Sequence, residues 1–262
     1  MIYFLSDAHL GSLAIDRAWA HQKKLIDLLE EMSKDAVSIY MLGDMFDFWC
    51  EYFIHDPKKR QYSPFFKELR KLHKKGINVH LFTGNHDLWT YGGLEALTSA
   101  QIHYDPCTIL RYGKAIYLAH GDGLLPENWE SLYPKKVQKK IRRFMKLRQI
   151  FHNPFLQFCF RCLPPKVGNW FGYNWAKQSR LKEIEHPCPY KGEDKEELVL
   201  FAKEQEKHAN HRDNYIFGHR HIELDLQITK DSRVVILGDS FKSWTYAKLD
   251  HHGRLTLHNY EQ

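Results

Sequence analysis

Residues 214–221 read NYIFGHRH: a hydrophobic run, a glycine, then His219 and His221 with one residue between them. Side chains at i and i+2 of a strand point the same way, so the two imidazoles can serve one site or two adjacent ones. Taken alone, such a pair is more often core or surface filler. Five other stretches share its form, a β-branched or aromatic run followed at once by a polar cluster: IYFLSDAH, SIYMLGDMFD, VHLFTGNHD, AIYLAHGDG and VVILGDS. Each predicts a buried strand ending in a loop. Helical periodicity fills intervals at 17–33 (Trp19, Leu25, Leu28, Leu29, Met32) and 63–75 (Phe65, Phe66, Leu69, Leu72). Strand, helix, strand in that order argues for α/β layering. The ending TYAKLDHHGRLTLHNY alternates around a glycine and predicts a hairpin.

The 262 residues are 43% hydrophobic and 14% aromatic, enough for one large α/β core. No apolar run reaches the ~18 residues that span a bilayer, and MIYFLSDAHLG opens directly on a strand pattern. The expectation is a cytoplasmic protein. Five cysteines (Cys50, Cys107, Cys159, Cys162, Cys188) are an odd number with no disulfide spacing. Cys159 and Cys162 form a lone CxxC, and without a second pair they argue weakly for zinc. The formal charge of +6 is uneven: from Leu124 to His186 there are 13 Lys/Arg against 4 Asp/Glu. A chain basic in one segment attracts something anionic there. The same stretch breaks the strand–helix rhythm, with a basic helix predicted near 135–151, Pro164–Pro165, and the aromatics Trp170, Phe171, Tyr173 and Trp175. It reads as a helical insertion or lid, 124–200, on a core of 1–123 and 201–262.

The strand ends carry, in order, Asp7 and His9; Asp44; Asn85 and His86; His120; then His219 and His221. Loops at the carboxyl ends of strands build α/β sites, and carboxylate with imidazole suits Mn, Fe or Zn. These motifs, Asp7-x-His9, Gly43-Asp44-x-x-Asp47, Gly84-Asn85-His86-Asp87, His120 and Gly218-His219-x-His221, resemble the calcineurin-like metallophosphoesterase superfamily. The resemblance implies a four-layer αββα sandwich and two divalent metal ions, manganese by analogy. One ion falls to Asp7, His9, Asp44 and His221, the other to Asp44, Asn85, His120 and His219, with Asp44 bridging. It implies hydrolysis of a phosphoester by activated water, with His86 as the catalytic residue that steadies the phosphoryl oxygens or protonates the leaving group. Asp87 is expected to orient His86, and Asp47 to support the ligands from behind.

SDAHLG, GDMFDFW, LGDSFKSWTYAKLD and a helical insertion after AHGD look like the UDP-2,3-diacylglucosamine pyrophosphatases of lipid A synthesis. That implies an acylated UDP-sugar substrate, split into UMP and a lipid monophosphate at the anionic inner face of the cytoplasmic membrane. Substrate contacts are then expected from Asn85, His86, Asn128, Ser179, Arg180 and His219. The chain departs from the family at Asn85-His86, commonly Asn-Arg there, and at Asn128, where an acid is usual. Acyl chains need apolar surface and phosphates need cations. The insertion supplies Phe144, Phe151, Phe155, Phe158 and Phe160 beside Lys135, Lys136, Lys139, Lys140, Arg142 and Arg143. Val137, Ile141, Phe144 and Phe151 share one helical face; an ordinary amphipathic helix with a solvated charged side has the same pattern. Two rival classes are a nucleic-acid phosphodiesterase and a non-catalytic scaffold. Bulky apolar residues among the cations argue against nucleic acid, and retention of all seven ligands argues against the scaffold.

Overall fold

Strand alternation sorts the apolar side chains into three separate cores, and these define the layers. The computed structural model describes residues 1–15, 17–185, 189–208 and 211–261. Within them lie β1 (Ile2–Leu5), α1 (Ala18–Met32), β2 (Ser38–Leu42), α2 (Ser63–Lys74), β3 (Asn78–Phe82), α3 (Gly93–Thr98), β4 (Gln101–His103), β5 (Cys107–Arg111) and β6 (Lys114–Ala119). The insertion follows as α4 (Trp129–Leu132), α5 (Lys135–Phe151), α6 (Pro154–Arg161) and α7 (Pro165–Glu185). The chain closes with α8 (Glu197–Lys207), β7 (Asn214–Phe217), β8 (Glu223–Gln227), β9 (Arg233–Leu237), β10 (Thr245–Leu249) and β11 (Leu255–Asn259).

Two mixed sheets result, ordered β11-β10-β1-β2-β3-β4 and β5-β6-β7-β9-β8. Parallel pairing joins β1, β2 and β3 in the first and β6, β7 and β9 in the second. Tyr3, Leu5, Ile39 and Met41 face α1 and α2, whereas Ile2, Phe4, Tyr40 and Leu42 meet Ile216, Val235 and Leu237 between the sheets. Tyr215, Phe217, Val234 and Ile236 face outward against Leu198, Val199 and Ala202 of α8. The order is helices, sheet, sheet, helix: an αββα sandwich. Strands buried on both faces explain why the runs are hydrophobic throughout rather than alternating.

Three details differ from expectation. Trp19 is 72% exposed, because the buried stripe of α1 runs through His21, Leu25, Leu28, Leu29 and Met32 and Trp19 lies off it. The division at 200/201 falls inside α8, which packs on the second sheet as part of the core. Phe155 and Phe158, grouped by sequence with the apolar groove, are exposed. Cys188 lies outside the described residues, and the other four cysteines are free thiols.

The insertion is anchored unevenly. α7 lies hard against the core: a Cβ on Gly172 would overlap the Phe48 ring, and one on Gly168 would overlap Tyr52. α5 and α6 have no buried side chain. They attach by contacts such as Trp89 Nε1–H to the Phe151 carbonyl (3.0 Å) and Arg161 Nε–H to the Glu51 carbonyl (2.8 Å).

The first sheet also carries an acid-sensitive contact. His80 stacks on Tyr40 with ring centroids 4.2 Å apart, its Nδ1 3.0 Å from His103 Nε2. Burial first, then the His103 charge, pushes its pKa from 6.5 down to about 4. Between those values the unfolded chain binds more protons than the folded one, so this stability is present above pH 6.5 and is lost as pH falls toward 4. The midpoint of thermal unfolding should drop across that window, and His80→Phe should flatten the slope. An unchanged slope in the variant would refute the assignment.

Candidate metal centre

The carboxyl ends of both parallel strand sets converge on one seam. The His219 backbone N–H donates to Asp7 Oδ2 (2.9 Å), His120 Nδ1–H to the Leu42 carbonyl (2.8 Å), and the Ser240 N–H to the Asp7 carbonyl (3.1 Å). Each sheet therefore fixes loops of the other. Asp7, His9, Asp44, His219 and His221 all adopt left-handed backbone, with φ from 46° to 66°. Outside glycine that conformation costs roughly 1–3 kcal/mol per residue and persists where surrounding structure enforces it. Gly218 is required by close approach, since a Cβ there would lie 2.6 Å from Asp7 Oδ2.

His221 Nε2 lies 3.0 Å from Asp7 Oδ1 and 3.3 Å from His9 Nε2. Across Asp44, His120 Nε2 stands 3.4 Å from Asp44 Oδ2 and 3.3 Å from Asn85 Oδ1. Three overlapping donor sets form, each within 4.8 Å: Asp7, His9 and His221; His9, Asp44 and His86; Asp7, Asp44 and His120. His219 stands edge-on to His120, ring centroids 5.1 Å apart. Burial works to raise both carboxylates, yet His221 and His9 hold Asp7 well below its usual range, and His120 and His86 do the same for Asp44. Burial, with the His120 charge, pushes His219 down to about 4.

These groups fit divalent cations. The donors are ionised carboxylates, an amide oxygen and imidazoles whose Nε2 atoms point inward. His120 and His86 spend Nδ1–H on the Leu42 and Asp47 carbonyls (2.8 and 2.7 Å), which fixes the tautomer. Asp47 is fully buried, without a hydrogen-bond partner for either oxygen among the described residues, and its Oδ1 lies 3.5 Å from His9 Nδ1 and 3.7 Å from Arg180 Nε.

A cleft of about 670 Å³ opens over the seam and gathers Asn85, His86, Ser179, Arg180 and His219 from the expected substrate contacts. Arg180 reaches deepest: its Nη2 is 2.8 and 2.7 Å from the ring nitrogens of His9, and Nη1 is 3.2 Å from His221 Nδ1. Asn128 is not brought there. It is exposed at the start of α4, where the Glu127 N–H is tied to Glu204 of α8 (2.7 Å), away from the cleft. The structure adds Trp175, its ring tilted against His86 with centroids 5.0 Å apart, Phe241, edge-on to His9 and His221, and Arg148 from α5. Two apolar chambers adjoin the cleft. One, about 220 Å³, is walled by Phe48, Trp89, Phe151, Phe160, Phe171 and Trp175; the other, about 270 Å³, has an apolar wall of Leu124, Ile141, Phe144, Met145 and Leu198 with Lys140, Lys191, Glu197 and Arg220 around it.

The sequence profile of the calcineurin-like phosphoesterases matches residues 1–240. A UDP-2,3-diacylglucosamine hydrolase of Porphyromonas gingivalis is 33% identical over 95% of this chain and 94% of its own. Proteins of the same name from Haemophilus influenzae and Vibrio cholerae are 28% and 26% identical, over 96% and 94% of this chain and 95% and 93% of their own. This chain belongs to the calcineurin-like phosphoesterase family.

In this phosphoesterase, Asp87 does not orient His86 as the sequence suggested. Its carboxylate accepts from the Gly84 and Met45 N–H groups (2.7 and 2.8 Å), locking the second and third motif loops together. The Asp47 carbonyl orients the His86 ring instead. Burial lowers the pKa of His86, whose Nε2 lies 3.9 Å from Asp44 Oδ2. Asp87→Ala strands two buried donors and should destabilise the fold by roughly 2–4 kcal/mol in urea titration. A change under about 0.5 kcal/mol, the usual range at neutral surface sites, would remove Asp87 from this role.

Proposed function

We propose that this phosphoesterase hydrolyses the diphosphate of UDP-2,3-diacylglucosamine, releasing UMP and 2,3-diacylglucosamine 1-phosphate. One observation carries the reading: two apolar chambers open off a single polar, carboxylate–imidazole seam. A diphosphate with two acyl chains matches that layout, and nucleic acid has no use for it. The names of the relatives point the same way.

Two divalent ions, manganese in this proposal, are assigned to Asp7, His9, Asp44 and His221 and to Asp44, Asn85, His120 and His219. Such ions polarise phosphoryl oxygens and lower the pKa of water toward neutrality. Around them, Arg180 supplies fixed positive charge beside His9. His86 steadies the phosphoryl oxygens or protonates the leaving group from Nε2 while its Nδ1–H stays on the Asp47 carbonyl. Trp175 and Phe151 shield His86 from solvent and begin the apolar wall. The helical insertion is the lid, ending before α8.

Docking on the anionic inner face of the cytoplasmic membrane belongs to the same proposal. Phe155 on α6 and Trp170 on α7 are 71% and 62% exposed. α5 carries eight Lys/Arg and no acid. No helix among the described residues is long and apolar enough to cross a membrane.

The direct test is turnover with manganese of UDP-2,3-diacylglucosamine, cyclic nucleotides and single-stranded DNA. Faster cleavage of DNA would sink the proposal. Asp44→Ala should lower bound manganese from about two equivalents toward none. His86→Gln should keep its metal and lose roughly 10²–10⁴ in kcat; loss of one equivalent would instead make His86 a ligand. Phe151→Ser should raise KM for detergent-dispersed diacyl substrate about tenfold or more, since each buried methylene contributes about 0.8 kcal/mol. Phe155→Ser with Trp170→Ser should leave that KM alone and reduce sedimentation with anionic vesicles. The reverse pattern would exchange the two surfaces.

A further inference from the structure

Arg148, Arg180, Arg220 and Lys242 all reach the cleft, but they are held differently. Arg180 lies against His9 and His221. Arg220 places Nε and Nη2 on the buried Glu196 carboxylate, at 2.6 and 3.2 Å. Arg148 is held by Nε alone, 2.7 Å from Asp122 Oδ2. Its Nη groups make no hydrogen bond among the described residues, and the side chain is about one-third exposed, at the cleft wall. The loop is shaped to receive it. Gly123 has φ +75°, and a Cβ there would lie 2.7 Å from Arg148 Nε.

A buried carboxylate that takes Nε fixes the guanidinium plane and leaves the two Nη groups as a forked donor. Such a fork matches the oxygens of a phosphate. The surroundings of Arg148 say which phosphate. Phe144, Leu147, Arg148 and Phe151 stand at i, i+3, i+4 and i+7 of α5, one stripe on the cleft wall. Phe144 and Phe151 each also line one of the two apolar chambers. The one cation in that stripe sits where a lipid's polar head must lie if its chains enter the chambers.

We propose that Arg148 binds the phosphate on the acylated half of the substrate, the sugar 1-phosphate, with Asp122 as the residue that positions its guanidinium. The inference rests on the diphosphate–lipid reading above. Asp122 lies two residues after His120, so the same loop that carries a metal-centre imidazole also aims the lid's cation.

The test uses the full-length, manganese-loaded enzyme and calorimetric titration with three probes: 2,3-diacylglucosamine 1-phosphate, glucosamine 1-phosphate without acyl chains, and UMP. Arg148→Met should weaken both sugar phosphates roughly 10- to 100-fold, the range of a charge-assisted forked contact, while UMP keeps its affinity. Arg148→Lys retains charge without the fork and should recover less than half of the loss on a logarithmic scale. Asp122→Ala should raise KM for the diacyl substrate more than it lowers kcat, and Asp122→Asn, which retains an acceptor, should restore most of it. Should Arg148→Met fail to fold, the Lys variant and the Asp122 pair carry the comparison. Equal weakening of UMP and sugar phosphates, or no weakening of either, would overturn the assignment while leaving the substrate reading intact. A wild-type enzyme that binds neither sugar phosphate yet hydrolyses other phosphodiesters would overturn both.

Discussion

Burying Asp7 and Asp44 in the seam between two sheets carries a large electrostatic penalty unless positive groups are brought to them. Much of the core follows from meeting that demand. Imidazoles arrive from β1, β3, β6 and β7, and Arg180 comes from the lid. Hydrogen bonds cross from one sheet to the other: the His219 backbone N–H to Asp7, the His120 ring N–H to the Leu42 carbonyl. The strained φ values of five ligand candidates fit the same picture. The sandwich holds them there because three apolar cores fix the strands on both sides.

The lid obeys a different balance. α7 is clamped to the core by glycines that let Phe48 and Tyr52 approach its backbone, whereas α5 and α6 bury no side chain of their own. Their phenylalanines either line chambers beside the cleft or face outward. Apolar surface left uncovered by its own fold is suited to an apolar partner, and in the proposed function an acylated substrate and a membrane surface supply one in both directions. In that proposal Arg148 within the stripe is the polar reference point for the lipid head.

Asp87, His86 and Asn128 show how a shared motif can keep its place and change its work. Asp87 holds two loops together through backbone donors, a task that any buried acceptor at that point could perform. His86 is oriented by a main-chain carbonyl. Main-chain partners leave no trace in side-chain patterns. Asn128 was drawn to the site by the family resemblance, which puts an acid at that position, but the Glu127 N–H bound to Glu204 of α8 ties that segment elsewhere.

The amino-acid sequence alone determined the six strands that end in polar loops and the closing hairpin, though not β4, β5 or β8, and with them the layered class, the metal-ligand candidates and the basic helix at 135–151, which is α5. These are local: a hydrophobic run with a polar stop specifies a buried strand and its loop, and a repeated i, i+2 or i, i+4 spacing specifies a face. Tertiary structure alone decided which phenylalanines of the lid line a chamber and which meet solvent, since Phe151 and Phe155 are equivalent in composition and differ only in what packs beside them. It also decided that Trp19 lies outside the core, that α8 is the sandwich's fourth layer, and that Asp122 aims Arg148 from 26 residues away. Such pairings depend on where the two sheets meet, a contact of high sequence separation that no periodicity encodes.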